Sequence, residues 1–327
     1  MTRSDLLVNL VEAGSAGDKA KFRAVVEAVI AEERARSHHL VADRLDALIT
    51  TSGNTDRLSR EASTRVVNDL LHEITPERRL SDLTLSSTVA SELAKFVEEH
   101  HRHELLRSYN LEPRHRILLA GPPGNGKTSI AEAVAAEAML PLFVARYESL
   151  VSSFLGESAS RLDDVFEYAR SRRCVLFFDE FDTIAKERAD QHETGEIKRV
   201  VSTLLLQIDR LPSHVIVIAA TNHGELLDRA AWRRFQLRMQ IAPPSRANAV
   251  AFLEQLAERM GEGFGLAPRT IAEKLKGASY SDFEQVAVDI RRRYVLALPD
   301  ADLTAIAKET IKQWQTQLRT KTSSALS

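Results

Sequence analysis

Eight consecutive residues, Gly121-Pro122-Pro123-Gly124-Asn125-Gly126-Lys127-Thr128, carry the strongest chemical signal in the chain. They fit the pattern G-x-x-x-x-G-K-[ST]. The apolar run Ile117-Leu118-Leu119-Ala120 leads in, and a helical pattern from Ser129 to Met139 leads out. Glycines at these positions let backbone N–H groups turn inward around phosphate oxygens, and the helix start adds the positive end of its dipole. Lys127 would reach the β- and γ-phosphates, and the Thr128 hydroxyl would bind Mg²⁺. The loop, with Ser129 behind it, is therefore a candidate nucleotide cradle.

A second run, Val175-Leu176-Phe177-Phe178, delivers two adjacent carboxylates, Asp179 and Glu180. Ligands of open parallel sheets bind at the carboxyl ends of the strands. Asp179 there would hold Mg²⁺ through its waters, and Glu180 would orient or deprotonate an attacking water. Taken alone, the pair could equally be a polar strand end meeting solvent; the phosphate loop upstream favours chemistry. Ala219-Ala220-Thr221 ends in Asn222. Its amide could hydrogen-bond a water or a γ-phosphate, or simply open a loop.

These residues need a scaffold. Short apolar runs at Ile117–Ala120, Leu142–Ala145, Val175–Phe178, Val215–Ala220 and Leu237–Ala242 read as strands buried on both faces. Helical patterns separate them, including Leu162/Val165/Phe166/Ala169 and Ile197 to Ile208. The alternation predicts an α/β core with a mostly parallel sheet. A helix over about 87–109 precedes the first strand. Pro243-Pro244 ends the last one, and four helical patterns follow: Ala247–Met260, Pro268–Lys276, Asp282–Leu298 and about Ala301–Leu318. Residues 1 to about 50 also read as helices. The clearest carries Phe22, Val25, Val26, Val29 and Ile30 on one face, and a polar stretch over 50–55 ends the region. The expected organisation is a small all-α N-terminal domain over 1–54 and a linker over 55–85. An α/β subdomain over 86–243, a helical lid over 244–319 and a flexible tail over 320–327 follow.

Composition narrows the function. With 44 basic and 46 acidic residues the net charge is −2, without the basic excess of a dedicated nucleic-acid binder. The single cysteine, Cys174, allows no intramolecular disulfide and no cysteine-based zinc site. No secretory leader and no apolar run of bilayer length is legible, so the expected location is the cytoplasm, away from the membrane. His100, His101 and His103 cluster on one helix. They could ligate a metal, but a solvated helix end is the simpler reading.

Together these pieces resemble the AAA family of P-loop ATPases over roughly residues 75–300. Gly121–Thr128 resembles the Walker A motif and Val175–Glu180 the Walker B motif. Ala219–Asn222 resembles the sensor-1 strand, Leu227–Phe235 the second region of homology, and Gly277-Ala278-Ser279-Tyr280-Ser281-Asp282-Phe283 the lid motif near the adenine. The resemblance implies a P-loop NTPase sheet of five parallel strands with a C-terminal helical lid, and Mg-ATP hydrolysis. It implies assembly with copies of itself, commonly a hexamer, acting on a protein client. Lys127, Glu180 and Asn222 become catalytic residues. Arg233 and Arg234 become fingers reaching a neighbour's γ-phosphate, and Gly277 and Ala278 become nucleotide contacts. The compact Trp232-Arg233-Arg234-Phe235 departs from the commoner Arg-Pro-Gly-Arg spacing and leaves open which arginine leads. Ser149–Ser158 resembles a first pore loop, with Phe154, Leu155 and Gly156 facing a channel; core packing of Phe154 is the alternative. The polar segment 187–196 could form a second pore loop. GTPase and transporter signatures are missing, and nucleic acid is not an expected partner. The whole chain also looks like small bacterial AAA proteins paired with a subtilisin-like serine protease. That alternative makes it an ATP-gated regulatory module in defence or plasmid maintenance.

Overall fold

The computed structural model describes residues 12, 19–35, 70–145, 158–181, 195–227, 229–261 and 263–324. The chain divides into one unit ending at residue 66 and a second running from 67 to 327. In the first unit, α1 spans Lys19–Ala35. Val26 and Ile30, one turn apart, are buried, whereas Phe22 on the same stripe is 41% exposed. The shorter helices expected on either side lie outside the described residues.

The second unit is built on one six-stranded sheet. Its strands are β1 (Leu71–Ile74), β2 (Arg116–Ala120), β3 (Leu142–Ala145), β4 (Cys174–Phe178), β5 (Val215–Thr221) and β6 (Leu237–Gln240). They lie in the order β1-β3-β4-β5-β2-β6. The five expected strands are all present and parallel to their neighbours. The expectation of five strands needs correction. β1 adds an antiparallel edge, pairing Leu71 with Ala145 and Ile74 with Leu142. It lies inside the segment assigned to a linker. The reason is physical: His72 and Glu73 are exposed between the flanking apolar residues of this edge strand, so no continuous apolar run marks it.

Side chains alternate across the sheet. Ile117, Leu119, Val175, Phe177, Ile216 and Ile218 face one layer, made by α2 (Ser87–His101) and α4 (Lys127–Glu137). The expected single helix over 87–109 is interrupted at Arg102, after which α3 runs from His103 to Ser108. On the opposite face Phe178 stacks on Phe166 of α5 (Ser158–Arg170), and Phe181 meets both Phe178 and Phe235 edge-on. There α6 (Gly195–Asp209) contributes buried Leu204, Leu205 and Ile208. Removing each such side chain from water stabilises the layer by about 1.5–3 kcal/mol. The short α7 (Arg229–Arg234) lies between β5 and β6.

The lid has its own core. It joins α8 (Arg246–Met260), α9 (Pro268–Lys274), α10 (Tyr280–Leu296) and α11 (Leu303–Ser324) around Leu253, Ile271, Phe283 and Ile311. Ser245 and Ser279 cap α8 and α10, the latter in a reciprocal box with Asp282. Helix α11 continues through Ser324, past the point where a flexible tail was expected. No helix among the described residues is long and apolar enough to cross a membrane.

Candidate nucleotide site

The carboxyl edge of the sheet gathers most of the predicted chemistry. Strand β2 ends at Ala120, and Gly121 turns the chain with φ +154°; a Cβ there would sit 2.0 Å from the Ile241 carbonyl oxygen. Only glycine lets β2 and the residue after β6 approach this closely. Gly124 and Gly126 also have positive φ, at +75° and +82°. Asn125 is buried, and its amide donates to the Pro122 and Pro123 carbonyls, holding the loop's shape from inside. Pro122 and Pro123 are exposed. Gly126 precedes α4 without a side-chain cap, leaving the first-turn amides of an eleven-residue helix for an anion.

Lys127 is only 7% exposed. Its ammonium donates to the Gly121 and Pro122 carbonyls at 2.7 and 3.1 Å and to Asn222 Oδ1 at 2.7 Å. The amide at the tip of β5 and the loop lysine are thus one hydrogen-bonded unit, a juxtaposition of residues 95 apart. Thr128 Oγ1 donates to Asp179 Oδ2 at 3.2 Å. The hydroxyl and the half-buried carboxylate side by side are hard oxygen donors of the kind that would suit Mg²⁺. Asp179 Oδ1 in turn accepts the Glu180 amide at 2.9 Å. Glu180 has φ +50°, strained for a residue with a side chain by about 1–2 kcal/mol. That turn returns Phe181 to the core while leaving the Glu180 carboxylate exposed beside the loop.

A cleft of about 580 Å³ opens next to the loop, walled by Gly121, Pro122 and Asn222 on one side and Trp232 and Gln240 on the other. Trp232 donates its indole N–H to the Gly224 carbonyl, which steadies α7 against this wall. The adjacent arginines diverge. Arg234 is half-buried, ion-paired with Asp209 and donating to the Leu205 carbonyl, whereas Arg233 is exposed.

The lid motif reaches the loop from above. Ser281 N–H donates to the Gly124 carbonyl at 3.0 Å, and a Cβ on Gly124 would meet Ser279 Oγ at 2.7 Å. Gly277 is exposed with φ +89°. Ala278, expected to contact the nucleotide, is 1% exposed as a whole residue inside the lid core. Phe154, Leu155, Gly156 and most of the 187–196 segment lie outside the described residues.

Some contacts escape sequence reasoning. Arg78 donates to Ser129 Oγ at 2.6 Å and pairs with Glu132, so Ser129 is tied to residues before the sheet proper. Tyr280 donates its hydroxyl to the Thr84 carbonyl at 2.6 Å, linking lid and core. Neither pair has a spacing signal; both bridge long sequence separations. The histidine trio is engaged with carbonyls: His100 Nε2 with Arg114, His101 Nε2 with Glu137 and His103 Nδ1 with His100. Burial holds His100 at a pKa of about 4. The described residues contain no cluster of three metal-ligating side chains.

Comparison with known proteins agrees with this geometry. Residues 117–243 match the model for the ATPase family associated with various cellular activities (AAA). A Sinorhizobium fredii (strain NBRC 101917 / NGR234) protein described as uncharacterized AAA family ATPase y4kL is 35% identical over 302 residues, covering 90% of each chain. This chain belongs to the AAA family of ATPases. It is a single AAA module that hydrolyses ATP to ADP and phosphate. ATP-dependent zinc metalloprotease FtsH 3 of Sphaerobacter thermophilus is 33% identical over 214 residues, 64% of this chain and 44% of that one. The cell division cycle protein 48 homolog of Archaeoglobus fulgidus is 33% identical over 221 residues, 66% of this chain and 30% of that one. Among solved structures, the FIGL-1 AAA domain has the same fold, with a TM-score of 0.63 and 22% identity over 81% of this chain and 95% of that one.

Proposed function

We propose that this AAA ATPase assembles as a ring of its own copies, commonly a hexamer in the family, and couples Mg-ATP hydrolysis to remodelling or threading of a protein client. One observation carries the reading. Arg233 stands exposed on α7 beside Arg234, which its own protomer holds through Asp209 and Leu205. An exposed guanidinium on a helix packed into its own protomer is what reaching a neighbour's γ-phosphate requires. This makes Arg233 the leading finger and Arg234 a positioning residue for α7.

The roles follow from the geometry. The first-turn amides of α4 and the Gly121–Gly126 backbone cradle the phosphates. Lys127 exchanges its loop carbonyls for phosphate oxygens and carries Asn222 to the same point. Thr128 and Asp179 would hold Mg²⁺, which would neutralise phosphate charge during transfer. Glu180, exposed and turned outward by its left-handed backbone, takes the proton of the attacking water while Asn222 orients that water. Arg233 of a neighbour stabilises charge on the transferred phosphoryl, which ties turnover to assembly. Ser279 and Ser281, against Gly124, bring the lid into register with the loop, so nucleotide state is felt by the lid. Phe154, Leu155 and Gly156 grip the client in the channel. Client action is supported by the names of relatives such as the ATP-dependent zinc metalloprotease.

The test is turnover per subunit across protein concentration for wild type, Glu180→Gln and Arg233→Ala. The expected result is a rate that rises with concentration in wild type and is lost in both variants. Glu180→Gln should retain ATP and the oligomer. A wild-type rate per subunit independent of concentration would refute the shared site. Phe154→Ala with hydrolysis intact but client processing lost would support threading; unchanged processing would sink it.

A further inference from the structure

The opposite edge of the sheet holds a second, strongly basic cleft that the ATPase reaction does not use. Its volume is about 380 Å³. Two segments build it: the last residue of α5 with the turn after it, Arg170-Ser171-Arg172-Arg173, immediately before β4, and Ser213-His214, immediately before β5. Arg107 of α3 completes the wall, with His100 and His103 at its base. Strands β4 and β5 run parallel to β2, whose far end carries the phosphate loop. At about 3.3 Å per residue, a five-residue strand separates the two clefts by on the order of 15 Å. They are different sites.

Four arginines line one small space. Like charges this close repel, and a fold that keeps them together has a use for the field. Neutral partners and one acid hold the set in place. Arg170 donates to the Gln207 side chain, and His214 donates its Nε2–H to the Arg170 carbonyl. Arg172 Cζ lies over the Tyr168 ring, 3.4 Å from its centroid, a cation–π contact that holds the guanidinium in place. Arg107 meets Glu112 at 3.4 Å, and Ser213 bonds the same carboxylate. Among the described residues no carboxylate pairs with Arg172 or Arg173. His100 adds no charge at neutral pH, because burial keeps it unprotonated. Glu112 offsets Arg107, and Asp163 accepts from the Gln207 amide that holds Arg170, so the net positive charge of the cleft comes chiefly from Arg172 and Arg173.

The lining also says what fits. It is arginine rather than lysine, which matches paired oxygens on phosphate bidentately. Serine side chains stand among the arginines, and the volume admits a group of diphosphate size with room to spare. We infer that this cleft binds a phosphate-bearing anion of about diphosphate size, at a site separate from the ATP cleft. Free diphosphate and the tail of a nucleoside diphosphate present the same chemistry.

The test uses the full chain carrying Lys127→Ala, which weakens the ATP cleft, titrated with pyrophosphate and, in a parallel arm, ADP, by calorimetry. The expected result is saturable pyrophosphate binding that weakens about tenfold or more when Arg172→Ala and Arg173→Ala are added, as expected for lost charge-assisted hydrogen bonds. Both side chains are exposed and only the Arg172–Tyr168 stack is lost, so the thermal melt should fall by a few degrees at most. A second variant, Ser213→Glu, places a carboxylate in the wall and should weaken binding similarly. Equal binding of pyrophosphate and ADP would show that phosphate alone is read; tighter ADP binding lost in the same variants would make the nucleoside diphosphate the ligand. Absence of saturable binding, or affinity within twofold across these variants, would overturn the inference.

Discussion

Replacing Arg234 and Arg233 one at a time should separate two jobs that adjacent identical residues cannot reveal in sequence. Arg234→Ala removes a donor to the Leu205 carbonyl and one partner of Asp209. Hydrogen bonds involving a charged group contribute about 1.5–3 kcal/mol. The ion pair is partly exposed, with side chains 24% and 35% accessible, so solvent limits it to about 1 kcal/mol or less. Asp209 keeps Arg116, whose Nη1 donates at 2.9 Å, so no carboxylate is stranded. The sum is about 2 kcal/mol. For a unit of this size roughly 2–4 °C of Tm accompanies each kcal/mol, giving a fall of about 4–8 °C. Arg233→Ala touches an exposed side chain and should stay within about 0.5 kcal/mol, or roughly 2 °C. The assay pairs thermal melts at low protein concentration with ATP turnover at high concentration. Arg233→Ala should melt like wild type and lose about 10³-fold in turnover, the scale of an arginine finger. An equal Tm loss in both variants, or full turnover in Arg233→Ala, would refute the division of labour.

Three further outcomes follow from the same structure. The pKa of His100 falls from 6.5 to about 4 through burial, so the unfolded chain binds its proton first as pH drops. The stability this residue supports is complete above pH 6.5 and declines toward pH 4, by up to about 3 kcal/mol at roughly 1.36 kcal/mol per unit. Denaturant melts of His100→Gln should lack that part of the slope, and parallel slopes would contradict the burial. Gly121→Ala drives a Cβ into the Ile241 carbonyl at 2.0 Å and should cost about 3 kcal/mol or more. Gly126→Ala meets no atom within 4 Å and should cost only the backbone strain, about 1–2 kcal/mol; urea midpoints would rank the two. Burial pushes the Cys174 thiol up to about 12, so a thiol reagent at neutral pH should label it only on unfolding, and rapid labelling of native protein would argue against the buried β4 start.

The loop geometry of the candidate nucleotide site was legible because its constraints are local. Gly121 to Thr128 must be contiguous for backbone amides to converge on one phosphate, and Asp179-Glu180 must directly follow a buried run to stand at a strand's carboxyl end. Such constraints are written in neighbouring residues, and so are the five apolar strand runs and the lid helices. The edge strand β1 was not legible. It satisfies its backbone by pairing with β3 and exposes His72 and Glu73, so its short sequence carries no continuous apolar signal. What only the folded chain decided are the meetings across long separations: Lys127 with Asn222, Arg78 with Ser129, Tyr280 with Thr84. Nor could the sequence tell Arg233 from Arg234, since the two are chemically identical and adjacent. Their difference is which one faces Asp209 and the Leu205 carbonyl. That follows from the turn of α7 against α6, and so belongs to packing rather than to residue type.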